Sequence, residues 1–215
     1  MNIILDELLK KKIIAIVRGV DAADMLNLAN ALYRGGIEAI EVTFAQENQK
    51  GVDNSLACME VIMQSKLPIL MGAGTVLTKK QVKASATFGA RYRISPNTDV
   101  EVIKYTKDLG LVSIPGAMTP SEVVKAYLAG ADIVKLFPMS QLGVDYLKAL
   151  RGPLGYIKMA AVGGVTVQNA ADFLAAGAVC LGIGSNLSDH KLIKAGEFEK
   201  ITQLAKAYVE VVHGK

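Results

Sequence analysis

The chain has 215 residues, a formal net charge of +4 and 51% hydrophobic residues. This composition is ordinary for a globular protein with a sizeable core, and we treat residues 1–215 as a single domain. The basic residues are scattered, and no lysine or arginine run is interleaved with aromatic residues, so nucleic-acid binding is not expected. A mildly positive site still suits a small anionic substrate.

The cysteines and the N-terminal segment indicate where the protein works. Cys58 and Cys180 lie far apart in apolar segments, which predicts two core thiols in a reducing compartment rather than a disulfide. In residues 1–12 the lysines follow the apolar residues, the reverse of their order in a signal peptide. No apolar run reaches the length of a membrane span. We therefore expect a cytoplasmic protein that does not bind a membrane.

The first part of the chain alternates between helical and strand patterns. An amphipathic helix is predicted over residues 2–11, and an apolar strand over residues 13–17. Asp21 is the expected N-cap of the next helix, which ends at Gly35-Gly36. The elements predicted after it are a strand at 37–44, a helix at 52–64, a strand at 68–71 and a helix from Thr78 to near Gly89.

The rest of the chain repeats one unit. In each repeat a glycine precedes a short apolar strand, and a helical pattern fills the gap to the next glycine. The glycines are Gly89, Gly110, Gly130, Gly155 and Gly177, the strands are 92–94, 111–114, 133–137, 157–161 and 179–183, and the helices start near Thr98, Thr119, Gly143 and Thr166. Strands that are apolar throughout are buried on both faces, as in an all-parallel sheet.

Eight strand–helix units in this length predict an α/β fold, a single (β/α)8 TIM barrel with a short N-terminal helix. The alternative is an open doubly wound sheet. The barrel is favoured because no long insertion or second domain interrupts the repeat.

One charged residue lies in the middle of the sixth predicted strand. Ile133, Lys135 and Phe137 share a face of that strand, because side chains alternate along it. Burial disfavours the charged form of a lysine and lowers its pKa, which makes the amine nucleophilic near neutral pH. The alternative is an edge strand with Lys135 in water.

Two other strands carry an ionisable residue among apolar ones. Arg18 follows the first strand and Glu41 lies on the second. Chemistry in such barrels takes place at the carboxyl ends of the strands, so we expect a cation, a carboxylate and the Lys135 amine to converge there. The alternative is a structural ion pair between Glu41 and Lys135 or Arg18.

Glycine-containing turns follow the last two predicted strands. Gly163-Gly164 follows the seventh, and Gly184-Ser185 follows the eighth. In barrels this pair of loops commonly binds phosphate, since bare glycine backbones let N–H groups approach the anion. The segment Gly72-Ala73-Gly74-Thr75 also offers N–H groups and a hydroxyl, and it is either a carboxylate-binding turn or a plain loop.

Other chemistries find little support in the sequence. The two histidines, His190 and His213, both lie near the C-terminus, and no group of His, Asp and Glu has metal-ligand spacing. No Ser–His–Asp arrangement is visible, and no Gly-x-Gly-x-x-Gly turn follows the first strand. We therefore expect no metal and no cofactor.

The motifs taken together resemble those of the 2-keto-3-deoxy-6-phosphogluconate (KDPG) and 4-hydroxy-2-oxoglutarate (KHG) aldolases, with the 2-dehydro-3-deoxy-6-phosphogalactonate aldolases as relatives. The segments that carry the resemblance span most of the chain in order. They are Ile14–Gly19, Ile40–Thr43, Gly72–Leu77, Ile94–Pro96, Ile114–Gly116, Val134–Pro138 and Val162–Val165. The resemblance implies a class I, metal-free aldolase on a (β/α)8 barrel, usually a homotrimer, that acts on a keto sugar-acid phosphate and on pyruvate.

The resemblance also implies a role for individual residues. Lys135 matches the Schiff-base lysine and Glu41 the acid/base carboxylate. The positions that match substrate-binding residues are Arg18 and Thr75 at the pyruvate end, Pro96 and Phe137 at the pocket wall, and Gly163, Gly164, Gly184 and Ser185 at the phosphate end. One position departs from the pattern. Ala45 stands where many members carry an arginine, and the galactonate-type relatives lack that arginine too.

The function expected from these residues is cleavage of a KDPG-type substrate to pyruvate and glyceraldehyde 3-phosphate through a lysine Schiff base. Cleavage of 4-hydroxy-2-oxoglutarate to pyruvate and glyoxylate, and a galactonate-type substrate, are open alternatives. The runner-up is a phosphosugar isomerase or epimerase that uses Glu41 as a base and Lys135 only for electrostatic stabilisation. A sugar-acid phosphate sensor without catalytic activity is the alternative from a different class.

Overall fold

The computed structural model describes residues 2–214, in which parallel strands alternate with helices. The strands are β1 (Ile13–Val17), β2 (Ala39–Thr43), β3 (Leu70–Gly74), β4 (Tyr92–Ile94), β5 (Val112–Ile114), β6 (Gly116–Ala117), β7 (Val134–Leu136), β8 (Met159–Val162) and β9 (Cys180–Ile183). The helices are α1 (Ile3–Lys11), α2 (Ala22–Arg34), α3 (Gln49–Gln64), α4 (Lys79–Thr87), α5 (Val100–Asp108), α6 (Pro120–Leu128), α7 (Met139–Leu154), α8 (Ala170–Ala175), α9 (His190–Lys194) and α10 (Phe198–His213).

The strands form a ring in the order β5-β4-β3-β2-β1-β9-β8-β7-β6. The two ends of this order meet, because only Pro115 separates β5 from β6 along the chain. The predicted strand at 111–114 covers β5 alone. Proline has no N–H to donate, which interrupts the ladder at that residue. The Pro115 carbonyl still accepts a hydrogen bond of 2.8 Å from the Lys135 backbone N–H of β7. The (β/α)8 barrel is therefore confirmed, and the open doubly wound sheet is wrong.

Alternate side chains of each strand fill two separate cores. Inward-facing residues such as Ile14, Ala39 and Ile133 pack inside the ring, and Leu8 of α1 packs with them. The outward-facing residues pack against the surrounding helices. Leu8 is fully buried, so the predicted N-terminal helix contributes directly to the packing inside the barrel. Within residues 2–214 no helix has both the length and the apolar character to cross a bilayer.

Several element boundaries differ from those that the sequence predicts. Strand β3 continues through Gly74, so the glycines of segment 72–75 belong to the sheet ladder rather than to a loop. Helix α3 begins at Gln49, since the Asn48 side chain caps it by accepting the Gly51 N–H. Helix α7 begins at Met139, and Gly143 is a break inside it with a φ of 74° and a ψ of 175°.

Candidate active site

Lys135 and Glu41 lie at the carboxyl end of the barrel with their side chains buried. Lys135 is on β7 and is 6% exposed, while Glu41 is on β2 and is 1% exposed. Arg18 follows β1, which lies next to β2 in the ring. Lys135 and Arg18 both act on the Glu41 carboxylate electrostatically. The structure thus brings together the three ionisable groups that the strand pattern predicts at one end of the barrel.

The Lys135 amine is held in apolar surroundings. Ile133 packs in the core below it, and the Lys135 Nζ lies 4.9 Å from the centroid of the Phe137 ring. Burial lowers the pKa of Lys135, Glu41 opposes this shift, and the Arg18 charge adds to it. No salt bridge joins Lys135 or Arg18 to Glu41 in the described part of the chain. A structural ion pair is therefore not the explanation for these residues, and the low pKa favours a neutral amine.

Glu41 owes its position to two glycines on the neighbouring strand β3. A Cβ at Gly74 would overlap Glu41 Oε1, and Gly72 is the register partner of Glu41. Burial raises the pKa of Glu41, and the charges of Lys135 and Arg18 lower it to a smaller extent. Glu41 Oε2 has no hydrogen-bond partner among residues 2–214. This oxygen atom can therefore still accept a hydrogen bond.

Thr75 connects the end of β3 to Arg18. Arg18 Nη2 donates a hydrogen bond of 3.1 Å to Thr75 Oγ1. The Thr75 backbone has a φ of 53°, a left-handed conformation that costs a residue other than glycine on the order of 1 kcal/mol. Gln46 Nε2 donates a hydrogen bond of 2.8 Å to the Thr75 carbonyl, which stabilises this conformation. The hydroxyl and the guanidinium together form a polar corner suited to a carboxylate.

Two residues that the sequence patterns did not indicate hold the end of β1. His190 Nε2 donates to the Arg18 carbonyl at 2.9 Å, and Ser188 Oγ donates to the Ile16 carbonyl at 2.9 Å. The His190 ring also packs over Gly19, whose φ is 65°. Both residues follow β9, which pairs with β1 in the closed ring. A closed barrel predicts that its last strand pairs with its first. This pairing places the loop after β9 beside Arg18 and could have indicated both residues.

A cavity of about 400 Å³ opens above Lys135. Its lining includes every substrate-binding residue that the sequence predicts, namely Arg18, Thr75, Pro96, Phe137, Gly163, Gly164, Gly184 and Ser185. Glu41 is not part of the lining and lies buried at this end of the barrel. Thr166 and Asn186 also line the cavity and were not predicted.

The site has a buried amine and a guanidinium in the lining of one cavity, and a carboxyl group buried at the same end of the barrel. Within residues 2–214 no group of three His, Cys, Asp or Glu side chains is placed to hold a metal ion. A buried amine with a lowered pKa is the group that forms a Schiff base with a carbonyl compound. The fold and the site thus define a (β/α)8 enzyme of the Schiff-base class.

Residues 4–204 match the family model described as KDPG and KHG aldolase, and the chain belongs to this family. It is 36% identical over 203 residues to the 2-dehydro-3-deoxy-6-phosphogalactonate aldolase of Escherichia coli, covering 94% of each chain. It is 34% identical to a probable 2-dehydro-3-deoxy-6-phosphogalactonate aldolase of Rhizobium meliloti, over 96% of this chain and 95% of that one.

A solved structure of the KDPG aldolase of Legionella pneumophila holds pyruvate captured as a covalent carbinolamine intermediate. The two chains are 29% identical and superpose with a TM-score of 0.83, over 92% of this chain and 93% of that one. The protein described here is therefore an aldolase, a lyase of the Schiff-base class.

Replacement of Gly74 by alanine tests how the position of Glu41 depends on β3. The added Cβ would overlap Glu41 Oε1, so the carboxyl group has to leave its site. A positioned acid/base group contributes about 10²- to 10⁴-fold, and we expect Gly74→Ala to lower the rate of aldol cleavage by at least about tenfold. Steady-state kinetics and a thermal melt measure the effect.

The matched control is Gly152→Ala in α7, where a Cβ meets nothing within 4 Å. That variant should keep the wild-type rate. Full activity of a folded Gly74→Ala protein would show that Glu41 tolerates displacement.

Proposed function

We propose that this aldolase cleaves a 2-keto-3-deoxy-6-phospho sugar acid into pyruvate and glyceraldehyde 3-phosphate, with Lys135 as the Schiff-base residue. The observation that carries the proposal is the buried Lys135 amine. Burial lowers its pKa, it lines the cavity, and it lies close enough to Glu41 to affect the pKa of that carboxyl group. A lysine must be unprotonated to attack a carbonyl carbon. Burial of the Lys135 amine shifts its pKa toward this unprotonated state.

The mechanism follows from the two groups. The neutral Lys135 amine adds to the C2 ketone, and loss of water from the carbinolamine gives a protonated imine. Glu41 takes the proton of the C4 hydroxyl, the C3–C4 bond breaks, and its electron pair moves into the imine to give an enamine and an aldehyde. Protonation at C3 and hydrolysis then release pyruvate and restore the amine. The raised pKa of Glu41 suits a group that both accepts and returns protons.

The ends of the substrate are assigned by the charges and backbone groups of the cavity. Arg18 and Thr75 form the corner that takes the pyruvate carboxylate, as their hydrogen bond of 3.1 Å supports. The turns at Gly163-Gly164 and Gly184-Ser185 offer backbone N–H groups to the phosphate at the far end of the cavity. Pro96 and Phe137 form apolar walls between the two ends.

Ala45 favours the galactonate configuration over the gluconate one. Its methyl group faces Gly51 in the first turn of α3, and Ala45 does not line the cavity above Lys135. Arg18 is thus the guanidinium in that lining. The resemblance described above implies the same pattern, an arginine at position 18 and none at position 45, for the galactonate-type aldolases. The two relatives at 36% and 34% identity carry the galactonate name as well. We therefore rank 2-dehydro-3-deoxy-6-phosphogalactonate first, its gluconate epimer second and 4-hydroxy-2-oxoglutarate third.

A pyruvate-release assay over these three keto acids tests the proposal, with borohydride trapping of pyruvate alongside. Borohydride reduces an imine to a stable adduct, and we expect peptide mapping to place that adduct on Lys135. Lys135→Arg should abolish both turnover and trapping, since a guanidinium does not form the imine.

The matched control is Lys158→Arg, an exposed lysine just before β8 at the opposite end of the barrel. It should keep the wild-type rate. Pyruvate release without any trapped adduct would contradict Lys135 as the Schiff-base residue. Conversion of the keto acid without pyruvate release would instead support the isomerase or epimerase mechanism, in which Lys135 acts only as a charge.

Replacement of Glu41 by glutamine separates imine formation from carbon–carbon cleavage. The amide keeps the shape but cannot exchange the proton, so we expect turnover to fall by about 10²- to 10⁴-fold while pyruvate is still trapped on Lys135. Single-turnover kinetics and borohydride trapping measure the two steps.

Glu38→Gln is the control, because Glu38 lies just before β2 and pairs with Lys11 away from the cavity. Wild-type turnover by Glu41→Gln would assign the proton transfer to another group.

The protein is further proposed to be a homotrimer. Large apolar side chains on α6 and after α7 are exposed, with Leu128 at 76% and Tyr156 at 62%, and exposed apolar groups of this kind mark interaction surfaces. Light scattering after size exclusion should give a mass three times the 22.8 kDa of one chain. A monomeric mass would contradict the trimer and leave the aldolase assignment intact, because that assignment rests on the family match.

A further inference from the structure

A second buried polar group lies inside the barrel on the strand next to β3. Tyr92 on β4 is fully buried, and its ring belongs to the core inside the ring of strands. The Tyr92 hydroxyl has no hydrogen-bond partner among residues 2–214, and the same is true of Glu41 Oε2. An unpaired buried hydroxyl is costly, since it has lost its hydrogen bonds to water. Thr43 Oγ1 and Arg93 Nε lack a partner in this part of the chain as well. Of the two titratable groups besides Glu41, the Glu41 charge acts on Tyr92 and not on Arg93.

The strand register places Tyr92 and Glu41 on either side of the same glycine. Glu41 of β2 is the register partner of Gly72, and Gly72 is in turn the register partner of Tyr92. A Cβ at Gly72 would overlap the Tyr92 ring, so the ring lies across β3 toward β2. The Glu41 carboxyl group lies over Gly74, the next residue of β3 on the same face. Both side chains therefore lean over one strand that lacks side chains of its own.

The pKa shifts of Tyr92 and Glu41 determine which of the two is the hydrogen-bond donor. Burial raises the pKa of Tyr92 well above its ordinary value, and the nearby Glu41 charge and Cys180 raise it further. The Cys180 thiol of β9 has its pKa raised to about 12 by burial, so it is neutral as well. The charged groups that act on Glu41 are Lys135 from β7 and Arg18 from the end of β1. Tyr92 is thus a neutral hydroxyl that faces Glu41 from β4 and can only donate to a carboxylate.

We propose that Tyr92 is a positioning residue for Glu41, and that its hydroxyl donates a hydrogen bond to the Glu41 carboxylate through one bridging water molecule. This inference rests on the proposed role of Glu41 as the acid/base group. The hydrogen bond stabilises the ionised form of Glu41 and counteracts the effect of burial. It also fixes the carboxyl group from the core side, opposite to the cavity where the substrate binds.

Tyr92→Phe removes the hydroxyl and leaves the ring, so the packing over Gly72 is kept. Without the donor, the pKa of Glu41 should rise, and the acidic limb of the pH profile of kcat should move up by about one pH unit. At neutral pH we expect kcat to fall by up to about tenfold, because a rise of one unit in the pKa of Glu41 lowers its ionised fraction by no more than that factor. KM should stay within about twofold, because Tyr92 does not line the cavity.

The matched control is Tyr33→Phe on α2, outside the barrel interior, which should have the wild-type profile. An unshifted pH profile for Tyr92→Phe would overturn the proposal. A rise in melting temperature together with that unshifted profile would show that the hydroxyl has no partner in solution.

A double variant separates this inference from the proposed function. If Tyr92 acts through Glu41, then Tyr92→Phe should have no further effect on kcat in a Glu41→Gln background. An additive loss in the double variant would overturn the coupling. Failure of the proposed function would appear differently, as the absence of pyruvate trapping or of keto-acid cleavage in the wild-type protein.

Discussion

The desolvation of one amine is the constraint on which the site depends. Lys135 lies on a strand that is buried on both faces, and burial disfavours its charged form more than the Glu41 charge stabilises it. A direct salt bridge to Glu41 would reverse this balance, because an opposite charge in contact favours the ammonium ion. The barrel keeps the two groups within electrostatic range without such a contact. The pKa of the amine is thereby shifted toward the neutral, nucleophilic form that the proposed mechanism needs.

Strand β3 is the part of the barrel that makes this arrangement possible. The side chains of Glu41 and Tyr92 occupy the space above Gly72 and Gly74, where any larger residue of β3 would overlap them. The residue directly after this strand is Thr75, which has a left-handed backbone and whose hydroxyl accepts a hydrogen bond from Arg18. One short strand therefore makes room for the carboxyl group and places the residue that contacts the cation. This explains why a sheet strand contains two glycines despite their weak propensity for strands.

The fold and the ionisable residues could be predicted because each has a local signal. Alternation along the strands placed Lys135 and Glu41 inside the ring, and the position of Arg18 after β1 placed it at the carboxyl end. The contributions of His190 and Gly72 were not predicted. His190 reaches Arg18 only because β9 closes against β1, which is a contact between residues 172 positions apart. In the sequence, Gly72 is typical of a loop. The structural reason for a glycine at this position is the Tyr92 ring, which a Cβ at Gly72 would overlap.

The cation of the site also depends on closure of the barrel. Arg18 is exposed, and a long exposed side chain loses conformational entropy when it is fixed. His190 and Ser188 hold the backbone of β1 at Arg18 and Ile16, while Thr75 holds the guanidinium. With Ala45 turned toward α3, no second guanidinium lines the cavity within residues 2–214. In the proposed function the substrate carboxylate contacts Arg18 and Thr75, so the two loops that fix Arg18, one after β3 and one after β9, also fix where that carboxylate lies relative to the Lys135 amine.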